Sequence, residues 1–467
     1  ISETTFGGLS QLSGQEGAIM DYGSLIYVTL QRAKTAREAI FTIANLMEDY
    51  GYASSGESFS ISDTEEVWIM EIMSKGKGEK GAVWVARMVP DGYISGHANQ
   101  ARITTFPQEG NKSAISSKHL NDIYNKGVTT VYHKDVISFA KKMKLYDGKD
   151  QDFSFCDVYC PLDFSAARGC EARVWAGFMK ANRAEMAQYE DYARGDNLKN
   201  RMPLWIKPDR QLTKEDAFDM MRDHYEGTSM DMTQDVGAGP YACPYRWRPM
   251  GWKVDGKSYL HERATSTQQT GFSFVSQSRS WLPDAIGAIL WWGVDDTYSS
   301  CYIPMYVSMS QTPSNVRVGN GSMLEYSPTS LFWSFNKVTN FVYSRYSDMI
   351  VDLQKVQKNL ESSFTEEVAE LDKQLLKVYE NNPEEAIAMM TNFSEAKTSQ
   401  TFEEWEKLFI YLLVKYVDGN IKCEENGRFV TNGDDIRQPA FPDQPEYPES
   451  WYRVIIDDCG DNIAVPK

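Results

Sequence analysis

Histidine is scarce in this 467-residue chain: five, at 97, 119, 133, 224 and 261, with no His-Glu-x-x-His pair, which argues against a zinc peptidase of that kind. Cysteine is sparse and odd in number, seven at 156, 160, 170, 243, 301, 423 and 459. Cys156-x3-Cys160 is not the Cys-x2-Cys spacing of a zinc site and no second pair echoes it. The cysteines therefore read as small buried hydrophobes, with a Cys156–Cys160 or Cys156–Cys170 disulfide left open. Basic residues are in deficit, 48 Lys and Arg against 65 Asp and Glu, and a net charge of −17 repels nucleic acid. No apolar run approaches the roughly 20 residues of a spanning helix. The longest, Leu408–Val417, contains Lys415. There is no internal repeat. No cofactor motif is found.

What is abundant is aromatic, at 13% of residues, which suits a large interior or a ring-lined pocket. The length allows two or three domains. The informative stretch is Val67–Phe106. Val67–Met73 and Ala82–Val89 are apolar, β-branched runs joined by a Gly/Lys turn at Ser74–Gly81, which predicts a hairpin. A third strand is expected over Gly92–Ile103 after the Pro90–Gly92 turn, carrying His97, Asn99, Gln100 and Arg102. Alternation would place His97 and Asn99 on one face, Gln100 and Arg102 on the other. A neutral amide suits a developing oxyanion, and a guanidinium suits a carboxylate. The alternative is a polar strand edge, hydrogen-bonded for structure.

Around this stretch the chain reads as strand, two helices, then meander, which is an α+β order. Ile1–Phe6 is strand-like, and Ile1 reads as mid-strand, so a preceding segment is expected. Ser24–Arg32 has helical spacing. Thr35 and Glu38 form a capping box for a helix that stops at Gly51, with Ile40, Ile43, Ala44 and Met47 as its core stripe. A helix is expected at Lys134–Lys142 and a strand over Phe153–Phe164. Arg168 and Arg173 stand in a segment fit for burial, where a guanidinium must be paired or face an anion. Pro208–Arg222 reads as a helix, Gly237–Pro249 as an irregular aromatic loop, Arg263–Arg279 and Ala285–Ser299 as strands. Asp295 and Asp296 would point opposite ways on a strand; one of them recognises an ammonium, or the pair ends the strand. From Leu331 long helices are expected, with an Asn382-Pro383 cap and a second capping box at Thr401 and Glu404 opening Trp405–Val417. The Pro-rich Gln438–Tyr452 is expected to lie extended.

Glu3–Gly8, Asp21–Ser24, Glu66–Glu71, His97–Ile103, Arg173–Trp175 and Trp292–Asp296, in this order, resemble the bacterial cysteine dipeptidases of the N-terminal-nucleophile (Ntn) hydrolase superfamily, whose animal relatives are the secernins. The resemblance implies an Ntn-hydrolase αββα four-layer sandwich with a C-terminal helical extension. Residues 1–330 would be the catalytic domain lacking its first strands, 331–419 a helical segment and 420–467 an extended tail. It implies a nucleophile outside this chain, an N-terminal Cys whose α-amino group, with a reference pKa of about 7.7–8.0, acts as base for its own thiol. Asn99 matches the oxyanion position and Arg173 an Arg beside the nucleophile. Glu3 and Thr4 fall where relatives place a further polar pocket residue. A zwitterionic dipeptide needs one cationic and one anionic contact, expected from Arg102 or Arg168 and from Asp295 or Glu3, with Thr4 and His97 completing the substrate-binding set. The expected partners are a short peptide substrate, the chain's own N-terminal fragment and further copies in a homo-oligomer, in a periplasmic or secreted setting rather than the cytoplasm. Competing readings are an Ntn amidase acting on N-acyl amides or conjugated bile acids, and a non-catalytic carbohydrate- or peptide-binding relative.

Overall fold

The computed structural model describes residues 1–433 and 437–466 and divides into two compact units, Ile1–Thr213 and Lys214 onward. Both mix helix and sheet, so the chain is α+β.

In the first unit, strands β1 (Ser2–Phe6), β2 (Gly56–Ser62), β3 (Val67–Ser74), β4 (Ala82–Met88), β5 (Ala114–Ser116) and β6 (Thr130–Tyr132) form a six-stranded sheet in the order β1-β2-β3-β4-β6-β5. All neighbours are antiparallel except β5 and β6. β1 lies at one edge of it. The expected hairpin is β3–β4, and both strands are buried on both faces because each face is covered.

On one face pack helices α1 (Tyr22–Arg32) and α2 (Ala36–Tyr50). Ile40, Ile43 and Met47 meet Phe59, Trp68, Met70 and Trp84 there. Local chemistry fixes both helices. The Asp21 carboxylate accepts the Ser24 N–H at 2.7 Å, and Thr35 Oγ1 accepts the Glu38 N–H at 3.2 Å. Gly51 ends α2 at φ +76°, where a Cβ would come within 2.6 Å of Gln15 Oε1. The opposite face carries Phe6, Ile69, Met73, Val83 and Val85 against Ala101, Ile103, Phe106, Phe153 and Tyr159.

Three expectations in this unit change. Only Ile94–Ser95 of the Gly92–Ile103 run is strand, paired with Trp205–Ile206, and residues 96–103 form a loop held by distant side chains. Phe153–Phe164 is not a strand. Phe155–Tyr159 is a helical turn that sets Phe155 and Tyr159 on the core side, four residues apart. The cysteines are free thiols, so neither disulfide forms. The helix near Lys134 is present as α3 (Val136–Lys142). A π-helical turn at Ala167–Glu171 leads into α4 (Ala172–Ala181).

In the second unit, β7 (Phe272–Ser278), β8 (Ala288–Val294) and β9 (Ile303–Tyr306) form an antiparallel sheet. Ile289, Trp291 and Ile303 face helices α5 (Leu331–Tyr343), α6 (Tyr346–Tyr379) and α7 (Pro383–Tyr416), where they meet Phe335, Val338, Phe364 and Trp405. Residues 263–271 stay outside β7, so the strand expected from Arg263 starts late. Asn382 caps α7 with Pro383 at its first turn. No second cap exists at Thr401: α7 runs through it, and its hydroxyl donates back to the Lys397 carbonyl at 2.8 Å. β8 stops at Val294, and Asp295 takes φ +65°, so alternation does not govern the Asp295–Asp296 pair. In the tail, Glu449–Cys459 is α8, which overlaps the segment expected to be extended, because Pro448 sits at its N-cap. Positions 434–436 and 467 of the tail lie outside the described residues. Among the described residues no helix is long and apolar enough to cross a membrane.

Candidate functional site

The polar residues of the Val67–Phe106 stretch gather on loop 96–103, and charged groups buried in the first unit fix its path. Glu71 stands in the middle of β3, fully buried, on the face that carries Ile69 and Met73. Its carboxylate accepts the backbone N–H of Arg102 at 2.5 Å and that of Ile103 at 3.0 Å. Burial pushes the Glu71 carboxyl up to about 7, against the pull of those two N–H groups and of Arg102.

The Arg102 guanidinium ties the loop to itself and to its surroundings. Nη1 donates to the Gly96 carbonyl at 2.9 Å and to Leu204 at 3.1 Å, Nη2 to Pro203 at 2.8 Å, and Nε to Glu171 at 3.1 Å. Every guanidinium nitrogen is engaged inside the protein. Arg102 is thus a strut of the loop, where the charge alone had suggested a holder for a substrate carboxylate. Glu171 also accepts from the Tyr192 hydroxyl at 3.0 Å. Gln100, buried, donates from Nε2 to the Cys160 carbonyl at 2.7 Å.

With the loop so fastened, Asn99 turns outward at φ +60°, a left-handed conformation that Asn tolerates better than most residues. Its Nδ2 donates to the Thr5 carbonyl of β1 at 2.6 Å, and its Oδ1 accepts from Arg173 Nη2 at 2.9 Å. Arg173, on the first turn of α4, also donates from Nη2 to Ala98 O at 3.2 Å and from Nε to Gly169 O at 3.1 Å. Asn99 and Arg173 therefore meet at the edge of the sheet, beside β1. One Nδ2 hydrogen of Asn99 and the Arg173 Nη1 group keep no partner among the described residues.

Two residues earlier, His97 bridges two strands. Nδ1 lies 2.8 Å from Thr4 Oγ1 on β1, and Nε2 lies 2.7 Å from Ser60 Oγ on β2. Burial, with Arg102 nearby, lowers the imidazole to about 4, so it is neutral at physiological pH. Thr4 thus belongs to this group. Alternation along β1 carries Glu3 to the other face, because Glu3 pairs with Phe59, which packs under α2. There Glu57, fully buried, accepts from Thr5 Oγ1 at 3.0 Å. Burial and the neighbouring Glu3 carboxylate push Glu57 up to about 9.

Arg168, in the π-helical turn before α4, donates to the Arg194 carbonyl at 3.4 Å. Asp295 belongs to the second unit, where it accepts from Asn336 Nδ2 at 3.1 Å and is pushed up to about 7 chiefly by burial. Among the described residues, no group of three or more His, Cys, Asp or Glu side chains is disposed to hold a metal ion. Sequence reading missed Ser60, Glu57 and Glu171, and it did not single out Glu71 as an anchor. Glu71 had a signal, a lone carboxylate in the apolar run Val67–Met73.

The model of the family described as "Peptidase family C69" matches residues 2–359. A probable dipeptidase B of Streptococcus pyogenes serotype M1 is 22% identical over 381 residues, covering 81% of this chain and 67% of that protein. A probable dipeptidase B of Lactococcus lactis subsp. lactis is 22% identical over 394 residues, covering 84% and 71%. A probable dipeptidase of Salmonella dublin is 25% identical over 290 residues, covering 60% and 54%. With more than half of its length matched by one family model, the chain belongs to peptidase family C69.

Proposed function

We propose that this chain carries most of the active site of a cysteine-type dipeptidase, which hydrolyses the amide bond of short peptides through an acyl-enzyme. The observation that carries the reading is the Asn99–Arg173 contact of 2.9 Å, set against the Thr5 carbonyl on an edge strand. In this reading the attacking Cys lies on a segment preceding Ile1 that pairs along β1. The same reading assigns the chain the αββα sandwich of Ntn hydrolases, with residues 1–330 as its catalytic part and the helices of 331–419 as an extension.

The chemistry then runs as follows. The α-amino group of the Cys takes the thiol proton, and the thiolate attacks the amide carbon. The carbonyl oxygen gains negative charge and accepts the spare Nδ2 hydrogen of Asn99. Arg173 keeps the thiolate favoured by its positive charge, with Nη1 directed to anionic groups. The amine leaves with the proton held by the α-ammonium, and water, deprotonated by the same amine, hydrolyses the thioester. Thr4 and His97 line the β1 side of the site. Arg168 is the candidate in this unit for the peptide's carboxylate end.

The test is to express the chain with its upstream coding segment and assay dipeptides beside N-acyl amino acids and conjugated bile acids, before and after alkylation with iodoacetamide. Dipeptide cleavage abolished by alkylation is the expected result. Cleavage of acyl amides alone would move the substrate class. No cleavage and no alkylation-sensitive residue would favour a non-catalytic binding protein.

A further inference from the structure

Loop 96–103 touches β1 twice, and the two contacts fall on consecutive residues. His97 reaches the Thr4 hydroxyl at 2.8 Å, and Asn99 reaches the Thr5 carbonyl at 2.6 Å. β1 pairs with β2 alone in its sheet, in the register Ser2 to Ser60 and Thr4 to Ser58. Thr4 and Ser60 are therefore diagonal neighbours across the two strands, on the face away from α2. The His97 ring spans them, with Nε2 at 2.7 Å from Ser60 Oγ. An imidazole is planar and rigid, and its two ring nitrogens supply one donor and one acceptor in the neutral form. Both hydroxyls can answer either role. The bridge thus fixes the loop against β1 and β1 against β2 with a single side chain.

We infer that His97 is a positioning residue, which sets the distance between the Asn99 amide and the edge strand β1 by bridging Thr4 and Ser60. The inference rests on the reading that Asn99 serves the oxyanion at that edge. His97 itself touches no reacting atom. Its effect passes through Thr4 to the neighbouring Thr5 carbonyl, which holds Nδ2 of Asn99. Without the bridge the Asn99 loop keeps its Arg102, Gln100 and Glu71 fastenings, so the unit stays folded while β1 shifts relative to the amide.

The experiment uses the complete enzyme, with kcat and KM for a dipeptide and thermal melting measured for His97→Leu, His97→Gln, Thr4→Val, Ser60→Ala, the Thr4→Val/His97→Leu pair, and Ser58→Ala. Ser58 Oγ is buried on the same face with no partner among the described residues, which makes it the control. His97→Leu is expected to lower kcat by about tenfold to a hundredfold, the cost of displacing a reacting group by up to about 1 Å, with KM within about twofold. His97→Gln, which keeps a donor and an acceptor, restores most of kcat. The double variant is no slower than His97→Leu, and Ser58→Ala matches the parent. If His97→Leu does not fold, Thr4→Val and Ser60→Ala decide: each lowers kcat if the bridge positions the loop. A His97→Leu enzyme with unchanged kcat, while Asn99→Ala has lost activity, overturns this inference alone. An Asn99→Ala enzyme with full activity overturns the site reading beneath it.

Discussion

Asn99 makes the most discriminating test of the site, because its side chain does two separable things at a strained backbone position. Nδ2 donates to Thr5 O at 2.6 Å and has a second hydrogen, while Oδ1 accepts from Arg173 at 2.9 Å. Asn99→Ala removes both functions and also keeps a β-carbon at φ +60° without the polar side chain that eases this conformation for Asn, which costs about 1–2 kcal/mol in folding stability. Asn99→Gly removes both functions without that strain. Asn99→Asp keeps the acceptor for Arg173, as a charged pair, but turns the donor against the Thr5 carbonyl into a second acceptor. If the amide is the oxyanion donor, all three variants lose about 10²–10³ in kcat, equivalent to about 2.7–4 kcal/mol of transition-state stabilisation. Their stabilities diverge: Ala melts below Gly, since Gly has no β-carbon to strain at this φ. Steady-state rates on a dipeptide give the first quantity and differential scanning fluorimetry the second. If Asn99→Gly or Asn99→Asp turns over within about threefold of the parent, the oxyanion role is refuted, whatever the melting temperatures show.

Other perturbations follow from the same geometry. Arg102→Leu leaves Glu171 as a buried carboxylate without its cation, which costs about 3–5 kcal/mol in urea unfolding; a loss below about 1 kcal/mol would contradict the strut. Glu57 has a folded pKa of about 9, above an unfolded value of about 4.3, so the folded state holds a proton that the unfolded chain releases between those values. Its contribution to stability is therefore present below about pH 4 and falls as pH rises toward 9. Glu57→Gln removes that slope, so it should raise the melting temperature more at pH 8 than at pH 5, and an equal change at both would count against the buried proton. In the second unit, Trp405 is fully buried with its ring 4.7 Å from Phe335, edge to face, so Trp405→Ala should cost about 3–5 kcal/mol by calorimetry. A change smaller than about 1 kcal/mol would mean that α7 is not held through this residue.

Which of these features a reader of the sequence can see depends on how far along the chain their causes lie. Helix α2 was legible to the residue, because Thr35, Glu38 and Gly51 act on backbone groups within one turn. The β3–β4 hairpin was legible for the same reason. The capping pattern at Thr401 misled because it is ambiguous when isolated: inside α7 the same hydroxyl finds the carbonyl four residues back, and no Pro or Gly interrupts the helix. Asn382-Pro383 was not ambiguous, since proline cannot sit inside a helix without breaking it. Loop 96–103 was read as a strand because its own residues alternate well enough. Its conformation is decided by Glu71, Cys160, Glu171 and Thr5, each at least 31 positions away in sequence.

The candidate site depends on contacts of the same long range. The Asn99–Arg173 contact spans 74 positions, and no periodicity predicts it; the family resemblance pointed to both residues, while Arg102, chosen for its charge, proved to be internal bracing. Yet one physical signal was available. Glu71 interrupts Val67–Met73, a run otherwise suited to complete burial, and a buried carboxylate must be met by N–H donors. A central strand commits its own N–H groups to its neighbours, so those donors have to come from a chain crossing the face of the sheet. The residues that cross there are 96–103, and the contact with Glu71 is what sets Asn99 and His97 against β1. A misplaced charge in a strand thus marks where a loop will be pinned, and a pinned loop beside a sheet edge is where amides and imidazoles can be held to fractions of an ångström.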